Sequence, residues 1–194
     1  MKVMLHDRLN ATRQEYLTRG FSTEHVNLVN ITPDFEDSID ASCAVSGDFV
    51  ISSDTSRMLY HVQPQYDGIG VLGHISPLMT FSGNATRSTR CMDIAFGNDK
   101  LLAAFTDDSG LNWVAVSTAH GENLRTICYN PTLITSVSYC WDKIVFCTPV
   151  EHQVKAVDTN GEGEVTVIAG SGFVGKARGS ALSASLHQPI ALCS

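Results

Sequence analysis

Cations are scarce in this chain: across 194 residues, 13 Lys and Arg face 20 Asp and Glu, a net charge of −7. Such a balance offers no basic stripe to follow a phosphate backbone or an anionic bilayer, which argues against nucleic-acid and membrane-surface partners. Long apolar runs are missing as well. No stretch approaches the roughly 18 residues of a membrane span, and the opening MKVMLHDRLN puts charge and amide where a signal peptide carries its apolar segment. A soluble chain is expected, its compartment open and the cytoplasm preferred. CxxC spacing is absent among Cys43, Cys91, Cys128, Cys140, Cys147 and Cys193, which removes the usual zinc-ligand pattern. Their apolar, strand-like neighbours point to core thiols in reducing surroundings, with pairing of some of them left open. There is no G-x-S-x-G elbow and no cysteine in an activating setting, so no nucleophile is expected. The sequons at Asn10, Asn30 and Asn84 are about what a Ser- and Thr-rich chain gives by chance.

What is present is β-structure in repeats. Hydrophobic residues make up 43% and charged residues only 17%, a composition that suits a folded, strand-rich globule. From Ala41 onward, β-branched and aromatic runs are broken every 8 to 12 residues by Gly, Asn, Asp and Pro. Three segments open on an acidic residue and continue apolar: Asp48-Phe49-Val50-Ile51, Asp99-Lys100-Leu101-Leu102 and Asp142-Lys143-Ile144-Val145. One run precedes each (ASCAV, CMDIAF, ITSVSYCW), and two follow: MLYHV and IGVL, NWVAVS and LRTICY, VKAV and VTVIA. Four strands in a unit of about 45 residues is the blade of a β-propeller. Such a blade cannot cover both of its faces alone and must stack on neighbours.

The fold class expected is therefore all-β: a partial β-propeller of about three four-stranded blades, near 41–74, 91–129 and 134–170. The first strand of another would follow at 186–194 (Pro189-Ile190-Ala191-Leu192-Cys193). Three blades and a quarter fall short of the 4 to 8 that close a ring, so a fragment of a larger propeller is expected. Ahead of the segment 25–194 stands an extension, 1–24, with Leu5, Leu9, Thr12 and Tyr16 at helical spacing. Residues 25–31, HVNLVNI, read as the outer strand of a preceding blade.

With Glu151-His152-Gln153-Val154, Asp158, Gly161 and Ala169-Gly170-Ser171-Gly172 in order, the unit 151–193 resembles the NHL-repeat family of β-propellers. Glu151-His152-Gln153-Val154 stands at the family's first element, Asp158 and Gly161 at its turn, and Ala169-Gly170-Ser171-Gly172 at its glycine cluster. Gly175, Gly179, Ala184, Leu186 and Pro189 follow along the long connection. Arg178 replaces an acidic residue of the pattern and Ala191 a glycine. Residues 48–63 are similar to the family's middle strands, without the histidine. The resemblance implies a scaffold that binds proteins, peptides or RNA, with a few enzymes among its relatives.

Gly170-Ser171-Gly172-Phe173-Val174-Gly175-Lys176-Ala177 comes within one residue of a phosphate-binding loop. Ala177 offers no oxygen for Mg²⁺, and Gly179 and Pro189 leave room for only a short helix, so these glycines read as positive-φ positions of a connection. In a propeller, the loops from second to third strand and from fourth strand to the next blade share a face. There Asp54, Asp107, Asp108, Glu151 and His152 form a possible acidic rim for a partner, set against the plainer reading of carboxylates that cap their own turns. His152 and His61 are expected to be hydrogen-bonded between strands rather than metal ligands or bases. Trp113 and Trp141 are expected in the core. Asp93 is the one charged group on the inner strands, too few oxygens for a Ca²⁺ site. The function expected is a non-catalytic scaffold for a protein or peptide, with no catalytic, cofactor or metal residues and no small-molecule substrate. The alternatives are a propeller hydrolase or lyase whose catalytic residues lie in other blades, and the recognition domain of a ubiquitin-ligase-like protein.

Overall fold

The computed structural model describes residues 29–31, 39–45, 48–66, 71–81, 89–161 and 163–192. The helix expected within 1–24 lies outside the described residues. Thirteen strands are formed: β1 (Val29–Ile31), β2 (Ala41–Val45), β3 (Asp48–Ser53), β4 (Met58–Tyr66), β5 (Val71–Thr80), β6 (Thr89–Gly97), β7 (Lys100–Asp107), β8 (Asn112–Thr118), β9 (Arg125–Asn130), β10 (Ser136–Cys140), β11 (Lys143–Thr148), β12 (Gln153–Asp158) and β13 (Thr166–Ala169). The only other regular element among the described residues is a 3₁₀ turn, Pro149–Glu151.

The chain divides into two compact units. In the first, which takes in β1 and the stretch 63–75, β1 pairs in parallel with the start of β5, Val29 opposite Val71. This corrects the expectation of a preceding blade, because the short strand is spent as a fifth, edge strand beyond β5. The remaining described residues form the second unit, which holds the repeats.

There the chain folds as sequential hairpins. Sheet 1 orders its strands β5-β4-β3-β2, sheet 2 β6-β7-β8-β9 and sheet 3 β10-β11-β12-β13. Sheets 2 and 3 are antiparallel throughout, as are the β2–β3 and β3–β4 pairs of sheet 1. Tight turns set the register. Asn98 and Asp99 both adopt positive φ (52° and 55°) between paired Gly97 and Lys100, the geometry that suits the twist of a two-residue hairpin and that Asn and Asp tolerate best. The repeat alignment needs one correction. The second strands open on Asp48, Lys100 and Lys143, so Asp99 and Asp142 are turn residues while Asp48 is already in its strand.

Burial follows the period of two. On β7, Leu101, Ala103 and Phe105 pack with Val50 and Leu59 of sheet 1 and with Phe81 just past β5, while Leu102 and Ala104 pack with Val137, Ile144 and Phe146 of sheet 3. Both faces are covered, which is why KLLAAF is continuously apolar rather than alternating. The first strands stand side by side, β6 between β2 and β10. The fourth strand of sheet 1 runs to Thr80, past the expected IGVL, with Pro77 tolerated where no further strand pairs with it among the described residues. Pro189–Leu192 forms no strand, since Pro189 offers no N–H and no ladder lies alongside among the described residues. It still reaches the inner edge, where the Leu192 N–H donates to Ser136 Oγ at 3.0 Å.

Candidate functional site

The polar groups at the inner edge join one sheet to the next. Asp54, in the turn after β3, accepts the Cys91 N–H of β6 at 2.8 Å, while its own N–H donates to Asp40 at 2.7 Å. Burial is the main force on Asp54 and pushes its carboxyl above the usual range, although the Cys91 N–H opposes it. One sheet further on, Asp93 does the same work on β10: its Oδ2 accepts from Ser136 Oγ at 2.8 Å and from the Val137 N–H at 2.9 Å. Its Oδ1 accepts the Ile94 N–H at 2.9 Å. A bulge between Cys91 and Asp93 breaks the strict alternation of β6 and aims this carboxylate at its neighbour. The pattern then continues through Ser136 to Leu192.

The outer loops hold the other rim residues. Asp107 Oδ1 accepts from Ser109 N–H (2.9 Å), Ser109 Oγ (2.5 Å) and Leu111 N–H (3.0 Å), so this carboxylate folds its own hairpin. Asp108 follows it, exposed. Glu151 belongs to a network between the ends of sheets 2 and 3. Its Oε1 accepts from Thr132 Oγ1 at 2.6 Å and Asn130 Nδ2 at 3.2 Å, its Oε2 pairs with Lys155, and Lys155 Nζ donates to Asn130 Oδ1 at 3.0 Å. Burial alone would raise its pKa, but the bonds from Lys155, Thr132 and Asn130 outweigh it and hold the carboxyl below its ordinary value.

His152 has left-handed backbone, φ +56°. Its Nδ1 accepts the Gln188 N–H at 3.2 Å, and its ring meets His187 edge-on at 6.3 Å. A Cβ on Gly170 (φ +93°) would come within 2.2 Å of the His152 carbonyl oxygen, so the glycine cluster and the Glu-His pair fit only as a set. His61 faces Asp48 at 2.9 Å across the β3–β4 pair. The structure thus brings Glu151 and His152 together in one loop, and gives Asp54 and Asp107 separate partners of their own.

Among the described residues the free thiols Cys91 and Cys147 are buried, Cys43 and Cys128 half-buried and Cys140 exposed. Burial pushes Cys91 upward, Cys43 to about 12, and Cys128 and Cys147 to about 11, so these four stay protonated at neutral pH. Among the described residues no group of three or more His, Cys, Asp and Glu is placed to hold a metal ion, and no helix is long and apolar enough to cross a membrane. Trp113 packs on Phe105, ring centroids 5.5 Å apart. Trp141 departs from expectation: it is 91% exposed, because it occupies a hairpin tip between paired Cys140 and Lys143, off the ladder that gives Val137 and Tyr139 a covered face. Sequence reading missed the ties of Asn130, Lys155 and Ser136, none of which carries a spacing signal.

No protein-family description matches the chain, and no curated protein matches it. Solved structures do. A nidogen/laminin complex aligns with 69% of this chain and 48% of its own at 9% identity, TM-score 0.52. An auxiliary nutrient binding protein from Bacteroides thetaiotaomicron aligns with 78% and 41% at 13% identity, TM-score 0.52. The WD40 β-propeller domain of Doa1 aligns with 69% and 40% at 10% identity, TM-score 0.48. The chain spans less than half the length of each of these. At such identities the likeness concerns the fold alone. The sheet order, the burial of β7 on both faces and the repeated carboxylate ties make it a β-propeller fold: three four-stranded sheets stacked as successive blades.

Proposed function

We propose that this chain is a non-catalytic propeller scaffold that binds a protein or peptide partner, its three blades forming part of a larger ring. One observation carries the reading. Asp93, the carboxylate of inner strand β6, spends one oxygen on the next blade and the other on its own strand, where a propeller enzyme would aim such a group at a reactant. Asp54, Asp107 and Glu151 are engaged in the same constructive way. One structure that shares the fold is of a complex between two proteins, nidogen and laminin. The NHL kinship of blade 3 belongs to the same proposal, supported by the fit of Gly170 against His152.

The test is a peptide ligand selected on the full chain. A scaffold binds it one to one, gains melting temperature with ligand concentration and returns it chemically unchanged, as mass spectrometry would show. Ligand recovered cleaved or modified contradicts the proposal.

A further inference from the structure

Trp141 has no role in the architecture above. It is 91% exposed and sits at φ +56°, a conformation in which a bulky residue is a genuine outlier and Gly or Asn would rest more easily. Its indole forgoes the burial that makes tryptophan useful to a core. A strained backbone that presents an unburied aromatic points to something the side chain touches outside the chain.

The mount is rigid. Asn98 Nδ2, in the neighbouring tip between β6 and β7, donates to the Trp141 carbonyl at 3.2 Å. Beneath it, Gly97 lies so close to the Tyr139 ring that a Cβ there would come within 2.7 Å of Cδ2. The two tips therefore stand together. They carry exposed Asp142, next to the indole in the chain, and exposed Asp99, next to Asn98. At the same ends of the sheets Glu122 and Glu164 are exposed. Of the cations there, Lys143 is engaged with Asp158 at 2.5 Å, and Arg125 donates to the carbonyls of Asn160 (2.7 Å) and Thr159 (3.2 Å). Among the described residues Lys100 is the other Lys or Arg at this end.

An exposed indole on tips that also carry exposed carboxylates suits a guanidinium or ammonium group: the ring attracts the cation through its quadrupole, and the carboxylates accept its N–H groups. We propose that Trp141, Asp99 and Asp142 anchor a binding site for an Arg- or Lys-bearing segment of a partner protein. This rests on the scaffold reading and adds the surface and the chemistry of the partner. The site lies at the opposite ends of the strands from Asp54, Asp107 and Glu151, so one propeller presents two distinct surfaces.

The experiment is a random-peptide display selection on the full chain, run in parallel on wild type, W141A, W141F and the double variant D99N/D142N. Wild type enriches peptides bearing Arg or Lys. Their synthetic forms lose about 30-fold in affinity on W141A, as for an interface anchor. They lose about tenfold on D99N/D142N at low salt and keep most of their binding to W141F. Since Trp141 is exposed, melting curves of all the variants match wild type, which removes misfolding as a cause of lost binding. Peptides that lack Arg and Lys, or that bind W141A as tightly as wild type, overturn this inference and leave the scaffold standing. A selection that enriches nothing overturns the scaffold reading together with it.

Discussion

The two interfaces between blades do the same task with different materials. Between sheets 1 and 2, Phe81, Phe105 and Trp113 form a run of rings with centroids 5.2 and 5.5 Å apart, seated over Ala103 and Ala115. Between sheets 2 and 3, aliphatic Val114, Val116, Ile134 and Ile144 surround Phe146 and Tyr139. Their inner edges differ as well. The first is tied by a turn carboxylate, Asp54, that takes one N–H from the next blade; the second by a strand carboxylate, Asp93, that takes a hydroxyl and an N–H from the next blade and an N–H from its own. Apolar filling holds neighbouring blades together whatever its shape, whereas one carboxylate at each inner edge fixes which backbone groups meet.

Truncating each core should separate the interfaces most strongly. Phe105→Ala removes a side chain that touches two rings and should cost about 4–5 kcal/mol, and Phe146→Ala about 3–4 kcal/mol, read from urea unfolding. The reverse order would break the contrast between ring run and aliphatic packing. The ties come next. Asp93→Ala strands the Val137 N–H and the Ser136 hydroxyl and should cost about 2–3 kcal/mol, against about 1 kcal/mol for Asp54→Ala. Equal costs would show that the bulge of β6 adds nothing. Away from both interfaces, Trp141→Gly relieves left-handed backbone and should stabilise by about 1 kcal/mol.

The smallest effect is one of sign. Glu151 has a folded pKa below its unfolded value, so its stabilisation is present above the unfolded carboxylate range and is lost as pH falls through the folded value. Asp54 has a raised folded pKa, so the folded state holds its proton longer and loses stability as pH rises through that range. Unfolding free energies from about pH 3 to 7 should show wild type gaining on E151Q as pH rises, and D54N gaining on wild type. Slopes of the same sign would contradict one of the two environments.

Much of the fold was legible because apolar runs and turn residues agree. CMDIAF lies in β6, NWVAVS in β8 and all of VTVIA but its first valine in β13. What stayed hidden depended on neighbours in space. β5 was cut short at IGVL, although the strand runs on through Gly73 and Pro77 to Thr80, with Pro77 beyond the stretch paired to β1. Trp141 was assigned to the core because hydrophobicity says nothing of a tip beyond the ladder. The Asp93 tie could not be read at all, for the bulge that aims it leaves no mark in spacing. The plain reading of Asp107 as a cap of its own turn was legible, since the Asp-x-Ser-Gly order carries that bond locally.

The central claim is stacked blades rather than a continuous sheet, and nuclear Overhauser contacts test it most directly. Stacking predicts side-chain contacts from Leu102, Val114 and Val116 to Val137, Ile144 and Phe146, together with no Hα–Hα contacts between β9 and β10. A ladder of Hα–Hα contacts that joins β9 to β10 as paired strands would contradict it.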